Sequence, residues 1–122
     1  IMSGLVNDSA DARSKTLTGN FRVRAWVNFV GSGTVSINGS GNVSSITDSG
    51  VGDYRINFVN NMPNTNYSAV ATATKGGGAA TDSNSAICNC AELKDVDYFS
   101  LYVHNTGGSS FDSGQVSVAV FL

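Results

Sequence analysis

The stretch that decides the fold is residues 21–67, FRVRAWVNFVGSGTVSINGSGNVSSITDSGVGDYRINFVNNMPNTNY. Its first nine residues, Phe21–Phe29, place apolar side chains at every odd position, and Arg22, Arg24, Trp26 and Asn28 lie between them. Alternation with a period of two is typical of a strand that buries one face. The stretch then continues through short segments separated by Gly, Asn, Asp and Ser, which are the residues that favour turns.

The same pattern extends over the rest of the chain. Apolar residues alternate again in Tyr54–Phe58 and at Phe99, Leu101 and Val103. The further predicted strands are 34–37, 42–47, 54–58, 67–74, 84–91, 97–104 and 115–122. Strands that repeat every 8 to 14 residues or so are typical of a β-sandwich or barrel. The sequence therefore predicts an all-β, antiparallel β-sandwich or barrel-like fold of about eight strands, with no helix longer than a turn.

Turn and loop signals divide this pattern. Asn38-Gly39 is a strong hairpin signal. The glycine-rich run Lys75–Asp82 predicts a mobile loop, and Asn105–Gly114 predicts a second flexible loop. Residues 1–19 lack sustained periodicity and are interpreted as a lead-in or linker from an upstream stem, with the sandwich domain at 20–122.

Length and charge limit the classes of function. A chain of 122 residues suits one hydrophobic core. A net charge of -2, with 13% charged residues, leaves no basic surface for nucleic acid. No apolar run approaches the roughly 20 residues that span a bilayer, so membrane insertion is not expected. The start at Ile1-Met2 shows no leader pattern and suggests a C-terminal fragment of a longer protein.

No residue pattern predicts catalysis, a metal or a cofactor. There is no Gly-x-Ser-x-Gly motif, and His104 is the only histidine. Asp48, Asp53, Asp95 and Asp97 stand beside turns, where aspartate usually caps its own backbone. Two cysteines and one histidine are too few for a structural zinc site. Cys88 and Cys90 would share one face of a strand, and we interpret them as reduced thiols in the core.

Residues 21–67 also resemble, as a pattern, a module near the C-termini of tailed-phage tail fibres and related virion adhesins. The resemblance depends on five ordered segments: Ala25-Trp-Val-Asn-Phe29, Gly41-Asn-Val-Ser-Ser-Ile-Thr-Asp48, Gly52-Asp-Tyr54, Asn57-Phe58 and Met62-Pro-Asn-Thr-Asn-Tyr67. Val116–Phe121 is similar to the closing strand of that module. The chain departs from the pattern at Cys88-Asn-Cys90 and at Phe121-Leu122, where a basic last residue is expected.

The resemblance implies a homotrimer at the tip of a virion tail fibre, outside the cell. Its partner would be a host cell-surface glycan, lipopolysaccharide or another outer-membrane receptor. An alternative is a structural domain that caps and trimerises the fibre without receptor contact. A glycan depolymerase is a third, weaker interpretation, because such folds are usually much longer than this chain.

Receptor contacts are expected in segments outside the matched stretch. The loops 75–83 and 105–113 are polar and glycine-rich, and loops of this kind often bind ligands. The candidate receptor-binding residues are Lys75, Asp82, Tyr98, Tyr102, His104, Asn105, Phe111 and Asp112. The outward aromatics among them could stack on a saccharide, or could instead bury a second sheet face or a trimer seam.

The candidate subunit interface is Arg24, Trp26 and Phe121. Aromatic residues and arginine are enriched at protein interfaces. Trp26, beside Arg24 and Asn28, could also serve as a sugar platform. We favour the interface, because this segment belongs to the scaffold part of the resemblance.

Overall fold

Eight strands form two antiparallel sheets in the computed structural model, which describes residues 23–74 and 86–122. The strands are β1 (Val23–Val30), β2 (Ser36–Gly41), β3 (Val43–Gly50), β4 (Asp53–Phe58), β5 (Ser68–Ala73), β6 (Ala86–Lys94), β7 (Tyr98–Asn105) and β8 (Val116–Phe121). Sheet A has the order β2-β1-β8-β5 and sheet B the order β3-β4-β7-β6. The predicted all-β antiparallel fold is confirmed. The predicted linker at 1–19 and the loop 75–83 lie outside the described residues.

The core lies between the two sheets, because each central strand turns alternate side chains inward. From sheet A these are Ala25, Val27, Phe29, Val116, Val118 and Val120, and from sheet B Tyr54, Ile56, Phe58, Phe99, Leu101 and Val103. Phe29 and Tyr54 meet edge to face across the core, with ring centroids 5.2 Å apart. The alternation read from the sequence therefore identifies the buried face correctly in β1, β4 and β7.

The C-terminal strand β8 is a central strand of sheet A. It pairs with β1 on one side and with β5 on the other, from Val116 to Phe121. The strand predicted at 115–122 is confirmed, and it is paired on both sides. The strand β8 lies at the C-terminal end of the chain, whereas its neighbours β1 and β5 come from the N-terminal part and the middle, so sheet A depends on long-range pairing.

Two local predictions are wrong. Asn38-Gly39 is not a hairpin turn, because it lies inside β2, and the β1–β2 turn is at 31–35. Val23 does not continue the buried alternation of β1. The pairing with β8 shifts between Val23 and Ala25, and this bulge leaves Val23 half exposed.

Asn42 fastens the point at which the chain crosses from sheet A to sheet B. Its φ is +56°, a left-handed conformation that asparagine tolerates better than most residues. The side-chain amide donates to the carbonyls of Arg24 and Asn60, each at 3.1 Å, and its oxygen accepts from the Asn60 N–H at 2.7 Å. One side chain thereby links β1, the β2–β3 crossing and the β4–β5 connection.

The segment 105–114, predicted to be a flexible loop, is instead held by backbone hydrogen bonds. The side chain of Asn105 accepts from the N–H groups of Gly107 and Ser109, which closes a tight turn. The chain then returns beside β7, where Ser110 forms an antiparallel β-bridge with His104. The next residue, Phe111, donates its N–H to the Val103 carbonyl at 3.3 Å. Residues 109–111 thus continue sheet B past the start of β4.

Tyr67 makes the stability of this core sensitive to alkaline pH. Burial, reinforced by the nearby Asp95 carboxylate, raises the pKa of Tyr67 to about 12. Its hydroxyl lies 2.8 Å from the Asp95 carbonyl oxygen and 3.0 Å from that of Tyr98. The folded state therefore favours the neutral phenol. The resulting stability is complete below the unfolded-state pKa of about 10 and is lost as pH rises toward the folded-state pKa.

We expect Tyr67→Phe to flatten this alkaline decline. At pH 8 the variant should be less stable by about 1 kcal/mol, because it lacks the hydroxyl hydrogen bond. Above pH 10 its free energy of unfolding should fall less steeply than that of the wild type. Urea denaturation at a series of pH values measures both slopes, and parallel curves would contradict the assignment to Tyr67.

Candidate functional site

The outer face of sheet B is polar and aromatic, and we call it the polar face. Its members project away from the core because they alternate with the buried residues of β4, β6 and β7. They are Asp53, Arg55, Asn57, Asn89, Tyr98, Tyr102 and His104, together with the apolar Ile87, which pairs with His104 and is 38% exposed. Hydroxyl, amide, carboxylate and aromatic groups in one plane form a surface of the kind that binds polar ligands with apolar patches, such as sugars.

Tyr102 occupies the middle of the polar face. It pairs with Asp53 of β4 on one side and with Asn89 of β6 on the other. Directly opposed residues in an antiparallel pair have Cβ atoms about 5 Å apart. An aromatic ring is thus flanked by a carboxylate and an amide. The Tyr102 side chain is partly exposed and makes no hydrogen bond within residues 23–74 and 86–122.

Tyr98 lies on the same face but in a different environment. The Arg55 guanidinium carbon is 4.2 Å from the centroid of the Tyr98 ring, which is cation–π geometry. One face of this ring is therefore already covered. Of the two tyrosines that the sequence predicts as receptor contacts, the structure leaves Tyr102 more available for stacking.

His104 and Asn105 stand at the end of β7, at the edge of the polar face. Nδ1 of His104 lies 3.0 Å from the Asn105 carbonyl oxygen. Since a carbonyl can only accept, this contact assigns the proton to Nδ1 and leaves Nε2 of a neutral ring as an acceptor. The Asn105 side-chain oxygen already accepts hydrogen bonds from the N–H groups of Gly107 and Ser109 in the turn that follows β7. His104 can therefore contact a ligand, whereas Asn105 mainly shapes the turn.

Phe111 and Asp112 are engaged inside the protein. Phe111 is partly buried and packs against the core. The Asp112 carboxylate accepts from the Gly52 N–H at 2.9 Å and from the Tyr54 hydroxyl at 3.3 Å. Burial of the Tyr54 hydroxyl is the main cause that raises the pKa of Tyr54, and the nearby Asp112 charge raises this pKa further. These two predicted receptor residues therefore hold the segment after β7 against the rest of the domain. The other two loop candidates, Lys75 and Asp82, lie outside the described residues.

The outer face of sheet A has the opposite character, and we call it the apolar face. Phe121 and Ala119 of β8 lie opposite Val23 and Trp26 of β1, and Ala119 also lies opposite Val70 of β5. Val23, Trp26, Val70 and Phe121 are 50%, 47%, 56% and 39% exposed. A shallow groove of about 270 Å³ runs between β5 and β8 beside Val70 and Ala119. Grouped apolar exposure of this kind marks contact surfaces.

Trp26 lies along the edge strand β2. A Cβ added at Gly41 would collide with the Trp26 Nε1, and one at Gly39 would lie 3.3 Å from the far end of the indole. Both ends of the ring system therefore rest where β2 has no side chains. Gly39, which the sequence suggests as a turn residue, and Gly41 instead make room for Trp26 on the apolar face.

Arg24, the third predicted interface residue, lies at the margin of this face. Its Nε is 3.4 Å from the Leu122 carbonyl oxygen, a weak contact to the end of β8. It also borders a cavity of about 350 Å³ formed with Asn60, Asn61 and Pro63. The structure thus brings Trp26 and Phe121 onto one surface and places Arg24 beside it.

Cys88 and Cys90 are free thiols. Both lie on β6, partly buried and packed against the core. Burial raises the pKa of the Cys88 thiol, and burial together with the nearby Cys88 raises that of Cys90 to about 11. Thiols of this kind are poor nucleophiles at neutral pH. The prediction that they act as small core residues is confirmed.

Two of the four aspartates beside turns bond to the backbone through their side chains. The Asp48 side chain accepts from the Gly50 N–H at 3.2 Å, and the Asp95 side chain from the Val96 N–H at 2.7 Å. In the part of the chain that the structure describes, no three His, Cys, Asp or Glu residues gather into a possible metal site. The same part contains no helix long and apolar enough to cross a membrane.

Comparison with protein-family models, curated proteins and solved structures found no match for this chain. Sequence reasoning found Tyr102 and His104 but missed Asn89 as a neighbour of Tyr102, and it weighed Asp53 only as a turn residue. Strand alternation indicates that both side chains point outward, but the pairing register that places them beside Tyr102 is not visible in the sequence.

Proposed function

We propose that this chain is the distal receptor-binding domain of a tailed-phage tail fibre, which attaches the virion to a host cell-surface glycan or lipopolysaccharide. The polar face is the observation that supports it most directly. Sugars present hydroxyls beside flat C–H surfaces, and Tyr102 with Asp53 and Asn89 offers the matching chemistry. The resemblance of residues 21–67 to tail-fibre modules supplies the biological setting.

Assembly as a homotrimer is part of this proposal. The apolar face would be buried between copies, which removes Trp26, Val70 and Phe121 from water. Three copies would also present three polar faces, and multivalency converts weak contacts with repeated surface glycans into firm attachment. In this arrangement one sheet serves assembly and the other serves adhesion. The domain would stand outside the cell, at the tip of the fibre.

A structural capping domain is the second candidate function. The apolar face favours it, because that surface explains trimerisation without requiring any receptor. In that case another virion protein reads the host, and the polar face is only a solvated sheet surface. Binding to intact cells separates the two functions.

The experiment is to incubate the fluorescently labelled chain with a panel of bacterial strains and to measure retention after washing. A receptor-binding domain should give saturable retention on at least one strain, and excess unlabelled chain should compete for it. Absence of saturable retention on every strain, from a chain that forms trimers in light scattering, would favour the capping function. Release of reducing sugar from the cells would instead indicate a depolymerase.

A further inference from the structure

The two tyrosines of the polar face differ in the access that a ligand has to their rings. Tyr98 is capped by the Arg55 guanidinium at 4.2 Å. No cation or aromatic ring stacks on Tyr102 within residues 23–74 and 86–122, and Asp53 and Asn89 stand on either side of it. The neighbouring position on β7, Ser100, is buried and accepts a hydrogen bond from the Leu93 N–H at 2.9 Å. Stacking on the polar face thus converges on Tyr102.

We infer that Tyr102, Asp53 and Asn89 form a subsite for one neutral saccharide unit. This inference rests on the proposed receptor-binding function and names the class of glycan. The sugar stacks its C–H face on the Tyr102 ring. Its hydroxyls donate to the Asp53 carboxylate on one side, and they exchange hydrogen bonds with the Asn89 amide on the other. Charge-assisted bonds to the carboxylate fix the orientation of the sugar.

Charge selects against acidic sugars at this subsite. Asp53 is the charged group paired directly with Tyr102, so the carboxylate of a uronic or sialic acid would meet a like charge. Arg55, on the same strand, has its guanidinium over Tyr98. His104, two residues along β7, presents the acceptor Nε2 in its neutral form. The immediate surroundings of Tyr102 therefore favour an uncharged ligand.

A glycan array tests this inference with the whole chain as it stands. The array carries neutral hexose and N-acetylhexosamine oligosaccharides beside uronic- and sialic-acid oligosaccharides. The wild type should bind neutral spots in preference to acidic ones. Tyr102→Ala should weaken that binding about tenfold, a typical loss for an aromatic contact. Thr65→Ala, at an exposed position in the connection between β4 and β5 and outside the polar face, should change it by less than about twofold.

Asp53→Asn is the variant that isolates the charge. It keeps the shape and an acceptor oxygen, so binding to neutral sugars should fall only a few-fold, while discrimination against acidic sugars should weaken. Circular dichroism of each variant verifies that the fold is intact. Preference for acidic spots, absence of binding to every neutral spot, or a loss for Tyr102→Ala no larger than that for Thr65→Ala would overturn the inference. Saturable retention on cells combined with any of these results would leave the receptor-binding function standing and remove only the neutral-saccharide subsite.

Discussion

Among the glycines that the structure describes, Gly52 should be the one at which an added methyl group destabilises the domain most. Gly52 has a φ of +65°, a left-handed conformation that alanine adopts only with strain. An added Cβ would also collide with the backbone oxygen of Val103 and lie 2.8 Å from that of Phe111. Neither oxygen can move freely, because both residues are held by backbone hydrogen bonds. The Val103 N–H donates to the Gly52 carbonyl at 2.8 Å, and the Phe111 N–H donates to the Val103 carbonyl at 3.3 Å.

We expect Gly52→Ala to lower the free energy of unfolding by about 4 kcal/mol or more, which places it among the exceptional single substitutions. A domain of this size is commonly stable by only about 5–15 kcal/mol, so poor folding at 37 °C should follow. Urea denaturation measures the loss. A shift of the backbone at residue 52 should also break the hydrogen bond from the Gly52 N–H to the Asp112 carboxylate.

Gly33→Ala is the matched control. Gly33 has nearly the same φ, +63°, but nothing lies within 4 Å of the position of its added Cβ. The free energy of unfolding of Gly33→Ala should therefore fall only by the cost of the left-handed conformation, about 1 kcal/mol. The difference between the two variants measures the backbone collision alone. Equal losses would show that the close approach at Gly52 is not what requires glycine there.

Val70→Glu is the second large expected effect, and it concerns assembly. Val70 is 56% exposed on β5, and its neighbour Ala119 connects it to Trp26 across the apolar face. A carboxylate there costs little in an isolated chain, because it stays in water. At a trimer contact it would be buried without a partner, at a cost of several kcal/mol. We expect the variant to remain folded and to dissociate.

Light scattering gives the result directly. The wild type should have about three times the 12.6 kDa mass of one chain, and the variant should have the mass of one chain. Val51→Glu is the control, since Val51 is 62% exposed but lies in the turn between β3 and β4. It should leave the trimer intact. A wild type that is monomeric at tens of micromolar would refute the trimer of this domain, and a trimeric Val70→Glu would place the interface elsewhere.

The amino-acid sequence by itself determined the class of the fold and most of its core. Side chains alternate across a strand, so the buried positions of β1, β4 and β7 can be read directly from their spacing. The placement of Cys88 and Cys90 on the inner side of β6 follows from the same rule. The backbone role of Asp48 also follows from the sequence, because an aspartate two residues before a glycine can bond to that N–H within the turn.

Only the tertiary structure decided which strands are neighbours, and with them both surfaces. The apolar face exists because β8 lies between β1 and β5, two strands that are both distant from it in sequence. Asn38-Gly39 has the composition of a turn, yet it lies inside β2, where the absence of side chains at Gly39 and Gly41 accommodates the Trp26 ring. Asp53 and Asn89 flank Tyr102 through register alone. Alternation fixes which face a side chain is on, but pairing register depends on contacts between distant segments, and local sequence does not encode those contacts in readable form.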